Sequence, residues 1–299
     1  MQETFIDILG EENVLVNEPM SRHTTFRIGG AADYFLTPEN DEQVLAVLRY
    51  VKSEGIPYFI LGNGSNLLVG DKGIRGAVIC LYKKMNKVEC NGEYVTAQCG
   101  ALLSKTASVA MSAKLTGFEF ASGIPGTVGG AVYMNAGAYG FEIKNVIDRI
   151  RYIDSDGKIK EIYGADDRFG YRKSPFTDRD CIVLDCTFKL KMGDLEDIKA
   201  LTKDLTNRRV TKQPLDKPSA GSVFKRPDGY FAGALIEEAN LKGYTIGGAQ
   251  VSEKHAGFII NAGGATAKDV LDLIEHIKET VFKRSGVKLE PEIKMTGEF

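Results

Sequence analysis

Apolar residues recur at helical spacing in several stretches of the chain. After Asn40-Asp41, Val44, Leu45, Leu48 and Val51 share one face; either polar residue can cap the helix, and Gly55 ends it. Residues 102–115 predict a second helix. Residues 195–210 predict an amphipathic helix through Ile198, Leu201 and Leu205, with Pro214 beyond its end. A helix is expected over 229–241. A long last helix opens on the capping box Thr266-Ala267-Lys268-Asp269, carries the stripe Val270, Ile274, Ile277 and Val281, and stops at Gly286. Short apolar or alternating runs between them predict strands over 58–61, 77–81, 87–89, 94–98, 181–190, 244–251 and 256–261. The runs 146–153 and 158–163 flank Ser155-Asp156-Gly157, a hairpin turn. Over 287–295, Val287, Leu289, Ile293 and Met295 alternate with Lys288, Glu290, Glu292 and Lys294, which predicts a closing strand. Pro291 cannot donate a ladder bond and places that strand at a sheet edge.

The 299 residues exceed one compact core, so two or three domains are expected. Met192-Gly193-Asp194 marks a break, and the helix after it reads as a hinge into a last domain. The chain is 43% hydrophobic and 26% charged, with a net charge of −2, which gives no electrostatic case for nucleic acid or an anionic membrane. No apolar run reaches the ~18 residues of a membrane span. The acidic start MQETFIDILGEEN has no signal-peptide pattern. Five cysteines without a CxxC read as reduced cytoplasmic thiols, and His23, His255 and His276 show no metal-ligand spacing.

The run 117–140, GFEFASGIPGTVGGAVYMNAGAYG, changes this ordinary picture. Seven of its twenty-four residues are glycine, and Glu119 is its one charge. Each glycine inside a helix or strand costs ~1 kcal/mol relative to alanine, so the run is not regular structure throughout. It is too apolar for a solvated linker. An ordered backbone that something approaches closely remains, and consecutive N–H groups on such a backbone form an anion-binding concavity. The loop Gly62-Asn63-Gly64-Ser65-Asn66 lies between apolar runs and is neither a dinucleotide fingerprint nor a Walker loop. Two such loops suggest a large diphosphate ligand held by backbone. Two tight turns without a ligand give the same pattern, and both readings stay open on the glycines alone.

Three residues carry candidate chemistry. Ser222, in SAGSVFK, has no nucleophile-elbow context and is otherwise a turn serine. Arg172, in GYRKSPF, has the planar fork that suits a carboxylate or phosphate and is otherwise a surface arginine. Glu292 is either a cleft carboxylate or part of a solvated strand face. His255 reads as a structural, hydrogen-bonded histidine.

In order along the chain stand HTTFRIGG (23–30), LGNGSNLLV (61–69), GIPGTVGGAVYMNAGAYG (123–140), GYRKSPF (170–176), AGSVFKRP (220–227), AGALIEEANLKGYTIGGAQVSEKHAGFIIN (232–261) and LEPEIK (289–294). Together, over roughly residues 20–296, they resemble the UDP-N-acetylenolpyruvoylglucosamine reductases, flavoenzymes of bacterial cell-wall precursor synthesis. The resemblance implies an α+β protein with an FAD-binding fold of the vanillyl-alcohol-oxidase type in two subdomains (1–82 and 83–193). A C-terminal α+β substrate-binding domain with its hinge helix (194–299) would follow. It implies FAD and NADPH as cofactors, a small sugar-nucleotide substrate and a cytoplasmic setting. No nucleic acid, membrane or obligatory protein partner is implied.

FAD would be held at Gly62, Asn63, Gly64, Ser65, Asn66, Gly123, Gly126, Thr127, Gly129, Gly130, Asn135 and Gly137. Ser222 would be the proton donor, with Arg172 and Glu292 stabilising the charge that develops. The short spacing between Arg172 and Ser222 resembles the branch of the family without a tyrosine-bearing lid loop. Asn240 stands where the family pattern has glycine at a helix end, and asparagine tolerates the left-handed conformation there. A flavin oxidase of the same fold is the nearest rival, with His23 the one candidate for covalent flavin. A non-catalytic flavin- or sugar-nucleotide-binding protein is a rival of another class, and the joint presence of Arg172, Ser222 and Glu292 argues against it.

Overall fold

Seven α-helices punctuate the chain in a computed structural model, which describes residues 1–299. They are α1 (Gln2–Leu9), α2 (Asp41–Ser53), α3 (Leu103–Ser112), α4 (Val128–Tyr133), α5 (Leu195–Lys212), α6 (Ala232–Glu238) and α7 (Ala267–Ser285). The helices with the clearest sequence signals match them closely. The Asn40 side chain caps α2 by accepting from the Gln43 N–H, and Val44, Val47, Leu48 and Val51 are its buried face. The Thr266/Asp269 capping box opens α7, Gly286 ends it at φ 72°, and Val270, Leu273, Ile274, Ile277 and Val281 are buried. Asn240 adopts φ 59° just past α6, as its place at a helix end requires.

The chain forms two compact units. The first comprises Met1–Leu15, Phe35–Asn63 and Ala77–Arg209; the second comprises Val16–Tyr34, Gly64–Gly76 and Val210–Phe299. The chain passes between them within the strands Val14–Pro19, Ala31–Leu36 and Ile74–Cys80, between Asn63 and Gly64, and near the end of α5. This differs from three consecutive segments divided near residues 82 and 193, because two N-terminal pieces pack with the C-terminal third.

In the first unit a five-stranded antiparallel sheet runs in the order Ile159–Tyr163, Ile147–Ile153, Ile182–Lys189, Tyr94–Gln98, Val88–Asn91. Its middle strand, Ile182–Lys189, is buried along its length except at Lys189. α4 packs on that strand, and Phe118, at the head of the glycine run, lies 4.8 Å from the Phe188 ring. Tyr58–Leu61 runs parallel to the strand Ile74–Cys80, with Tyr58 opposite Ala77 and Leu61 opposite Cys80.

In the second unit a four-stranded antiparallel sheet runs Ser219–Ser222, Phe258–Asn261, Ala249–Val251, Thr245–Ile246. α6 and α7 bury Leu235, Ile236, Leu273, Ile274 and Ile277 in a core that also takes in Phe26, Ile28 and Leu68. A separate parallel pair joins Lys294–Thr296 to Leu67–Val69.

The sequence reading misplaces several elements. The expected strand over 287–295 is regular only at Lys294–Thr296. Before it, Pro291 makes one isolated bridge to Phe224. Leu289 and Ile293 are buried as the alternation suggested, but the backbone between them is not laddered. α6 is shorter than 229–241. Leu201 is 45% exposed, so the buried stripe of α5 is Ile198 and Leu205. α1 and the strands Val14–Pro19 and Ala31–Leu36 carry no signal that the pattern revealed.

These burial states predict opposite outcomes for two leucine-sized truncations. Ile277→Ala should lower stability by about 2–5 kcal/mol through the cavity it leaves. Leu201→Ala should cost less than ~0.5 kcal/mol. Urea denaturation of both variants checks this, and a large loss at Leu201 would restore it to a core.

Candidate functional site

In the first unit the strand Tyr58–Leu61 delivers Gly62 and Asn63 directly onto the second glycine loop. Asn63 Nδ2 donates to the Pro125 carbonyl at 2.7 Å. A Cβ on Gly62 would stand 2.5 Å from Thr127 Oγ1, so only glycine allows the two loops to meet. The amides of Gly62, Asn63, Gly123, Gly126 and Thr127 donate to no acceptor within the protein. The next three amides along the run are committed. Val128 donates to Ala101 O at 2.8 Å, Gly129 to Cys99 O at 2.7 Å, and Gly130 to the Thr127 side chain at 3.4 Å. The loop before α4, rather than the helix terminus, therefore presents free donors.

The glycines of this region serve different ends. A Cβ on Gly129 would lie 2.9 Å from the Cβ of Cys99, a fully buried residue whose thiol burial pushes well above its usual pKa. Gly129 is thus a packing glycine against an inert thiol. Gly130 is exposed and has only Thr127 Oγ1, at 3.5 Å, near its missing Cβ. Glu119, the run's one charge, is buried and closes a turn by accepting from Thr116 Oγ1 at 2.7 Å and Gly117 N at 2.8 Å.

Asn135 ties the run to the turn that carries Arg172. Its side chain is fully buried, and Nδ2 donates to Gly170 O at 2.8 Å and to Glu142 Oε2 at 3.1 Å. Its Oδ1 accepts from Lys144 N at 3.0 Å. Both side-chain amide hydrogens are spent within the protein, so Asn135 braces this turn. Gly170 and Lys173 exchange backbone bonds of 3.0 and 3.2 Å, which puts Tyr171 and Arg172 at the two corners of a tight turn. Arg172 takes φ 52°, a strained choice for a residue with a Cβ. Its guanidinium donates to the Gly137 carbonyl at 3.4 Å and lies 5.0 Å from the Tyr171 ring centroid.

In the second unit, Gly64 has φ 61°, and a Cβ there would lie 2.2 Å from the His23 carbonyl. The amides of Gly64 and Ser65 also donate to no acceptor within the protein. Thr25 N donates to Gly64 O at 3.2 Å while Thr25 Oγ1 donates to Ser219 O at 2.7 Å, which pins the loop to the strand that ends at Ser222. Thr25 stood out in the sequence only as part of HTTFRIGG; nothing about a lone threonine announces a brace across 194 positions.

The segment after Ser222 joins the end of the chain. Val223 N donates to Gly257 O at 2.9 Å, and Val223 O accepts from Glu292 N at 2.7 Å. Lys225 N donates to Glu290 O at 2.8 Å. Asn66 holds the same end, accepting from Lys294 N at 2.9 Å and donating through Nδ2 to Glu292 O at 3.3 Å. Ser222 and Glu292, 70 positions apart in sequence, therefore flank one hydrogen bond. Ser222 Oγ has a long contact of 3.4 Å to Phe224 O. His255 accepts from Gly257 N at 3.1 Å through Nδ1, and burial draws its pKa below the usual value. It is a neutral, structural histidine, as its sequence context suggested. His23 sits 2.8 Å from Glu18 Oε1.

Comparisons with known proteins agree with this arrangement. A family model for an FAD binding domain matches residues 32–163, and one described as UDP-N-acetylenolpyruvoylglucosamine reductase, C-terminal domain, matches residues 213–296. A UDP-N-acetylenolpyruvoylglucosamine reductase of Clostridioides difficile is 52% identical over 293 residues, covering 98% of this chain and 96% of that one. The crystal structure of the Thermus caldophilus UDP-N-acetylenolpyruvylglucosamine reductase superposes with a TM-score of 0.81 at 34% identity, over 94% of this chain and 97% of that one. A berberine bridge enzyme variant, at 15% identity and a TM-score of 0.51 over 65% of this chain and 44% of its own, shares the fold alone. The fold is the α+β, FAD-binding type that the resemblance implied, and half of all positions are shared with a reductase along nearly its whole length: the chain belongs to the UDP-N-acetylenolpyruvoylglucosamine reductase family.

Proposed function

We propose that this chain is an FAD-containing, NADPH-dependent reductase that converts the enolpyruvyl group of UDP-N-acetylenolpyruvoylglucosamine to the lactyl group of UDP-N-acetylmuramate, in peptidoglycan precursor synthesis. The bond from Glu292 N to Val223 O supports the reading, because it brings the backbone of Glu292 against the residue that follows Ser222 in a chain of a family named for this reduction. The backbone fits the cofactor. The unbonded amides of Gly62, Asn63, Gly123, Gly126 and Thr127, all in the first unit, are suited as donors to a diphosphate. Bound FAD supplies hydride transfer between NADPH and the enolpyruvyl double bond.

The protein's own groups manage the charge and the proton. Addition at the terminal methylene leaves negative charge on the carbon bearing the carboxylate. Arg172, preset by its left-handed corner, offers two N–H donors to that carboxylate. Glu292, held by backbone at both its N–H and its carbonyl, is the second group assigned to stabilising that charge. Ser222 Oγ delivers its proton to the carbanion carbon. A serine hydroxyl is a weak acid and works only against a very basic carbon in a preorganised site. No helix is long and apolar enough to cross a membrane. Five free thiols, three of them buried, suit a reducing, cytoplasmic setting.

The purified protein should be yellow. NADPH should bleach it anaerobically, and the enolpyruvyl substrate should restore the colour. A colourless protein that takes up no FAD would overturn the assignment.

The two kinds of glycine separate fold from cofactor. Gly129→Ala should destabilise the apoprotein by roughly 1–3 kcal/mol, since its methyl group meets Cys99. Gly130→Ala should leave apoprotein melting unchanged or higher, yet weaken FAD binding if cofactor passes over that exposed backbone. Unchanged FAD affinity would remove Gly130 from the FAD set.

For Glu292→Gln, turnover should fall by roughly two orders of magnitude or more while flavin reduction by NADPH stays near normal. Turnover equal to wild type would return Glu292 to a surface role. For Ser222→Ala, stopped-flow flavin absorbance should show a near-normal reductive half-reaction and an oxidative half-reaction slowed ~10²-fold or more. Cysteine at 222 should recover part of the rate, because a thiol is the stronger acid. Equal slowing of both half-reactions would point to a damaged flavin site instead.

A further inference from the structure

Two adjacent arginines near the end of α5 have opposite surroundings. Arg208 is exposed and paired with Asp204 at 2.8 Å, one turn back on the same helix. Arg209 is half-buried, and it makes neither an ion pair nor a hydrogen bond within the protein. It shares a helix face with Leu205, four positions earlier, which is buried. That face turns toward the glycine run. Tyr139 OH donates to Leu205 O at 3.1 Å, and the Arg209 side chain lies along Gly123, where a Cβ would stand 3.0 Å from Cδ and 3.6 Å from a terminal guanidinium nitrogen.

A cation removed from water without a partner is costly, and proteins carry one where something else supplies the anion. Burial draws the Arg209 pKa below its usual value. Only the Tyr139 hydroxyl acts in the opposite sense, and no carboxylate does. On the same run the amides of Gly123, Gly126 and Thr127 also meet no acceptor within the protein. A positive guanidinium beside a row of free N–H groups calls for negative charge from outside the chain.

We infer that Arg209 is the counter-ion of the bound flavin cofactor, paired with negative charge that the cofactor brings. This rests on the FAD reading above. That charge has two sources on one molecule: the diphosphate, which is anionic in both redox states, and the pyrimidine edge of the ring system, which gains negative charge on reduction. Both are planar or forked acceptors that suit a guanidinium.

The test uses the full-length chain with Arg209→Met, Arg209→Gln and Arg209→Lys, and Arg208→Met as the control. Two quantities are measured: FAD affinity of the apoprotein by flavin fluorescence, and the flavin midpoint potential. If Arg209 meets the diphosphate, the methionine and glutamine variants should bind oxidised FAD at least about tenfold more weakly, with the midpoint unchanged. If it meets the pyrimidine edge, oxidised FAD should bind normally and the two-electron midpoint should fall by about 30 mV for each tenfold loss of preference for the reduced form. Lysine should restore part of either effect, and Arg208→Met should show neither. Affinity within about twofold of wild type together with an unchanged midpoint, in both neutral variants, overturns the inference. A wild-type chain that binds no FAD would instead fail the functional reading itself.

Discussion

An N–H group withdrawn from bulk water needs an acceptor, and the two glycine loops are built around amides to which the protein gives none. Several of the neighbouring carbonyls are taken. Pro125 O accepts from the Asn63 side chain, Gly126 O from Leu103 N, and Gly64 O from Thr25 N; Cys99 O and Ala101 O accept from the start of α4. Seven amides, those of Gly62, Asn63, Gly64, Ser65, Gly123, Gly126 and Thr127, are left over as donors on loops that hold no lysine. The choice of glycine, the bracing by Asn135 and the lateral pressure of Cys99 on Gly129 all serve to hold that backbone still. An anionic ligand is what such donors suit.

The same economy shows at the other chemical centre. Ser222 and Glu292 are positioned almost wholly by main chain: Gly257 O, Val223 O and the Asn66 amide fix the backbone on either side of them. Ser222 Oγ itself makes one long contact of 3.4 Å, to Phe224 O. Arg172 is handled differently. Its backbone is forced to φ 52° by a two-residue turn, and the strain is held by Asn135 bonding the carbonyl of Gly170. A residue placed by local strain has a fixed origin for a long, otherwise mobile side chain.

Much of this was legible from residues alone, and the limits have physical causes. α2 and α7 were clear because a 3.6-residue stripe and two caps agree with each other. The glycine loops were clear because nothing else explains such density in an apolar run. Their division of labour was not, since a glycine that admits a ligand and a glycine that admits Cys99 look the same in sequence. The 287–295 segment misled because alternating burial of Leu289 and Ile293 mimics a strand, whereas the chain there touches Phe224 at one bridge only. Leu201 misled because α5 buries only a narrow face. The interleaving of the two units depends on pairing between distant segments, which no local pattern encodes. Arg209 was indistinguishable from Arg208 until a helix face and a missing Cβ separated them.

That interleaving has a consequence for the order in which the protein can mature on the ribosome. Asn66 and Glu292 meet across 226 positions, and Leu67–Val69 waits for Lys294–Thr296 as its strand partner. At about 5–20 residues per second, roughly 11–45 s separate the synthesis of the N-terminal half of this pair from that of its mate. Phe26, Ile28 and Leu68, destined for a core made chiefly of residues beyond 219, are in the meantime uncovered apolar side chains on a nascent chain. Five of the residues expected to cradle FAD, Gly62 to Asn66, lie on the loop beside this waiting strand, so the flavin site matures only as the last turn of synthesis is completed.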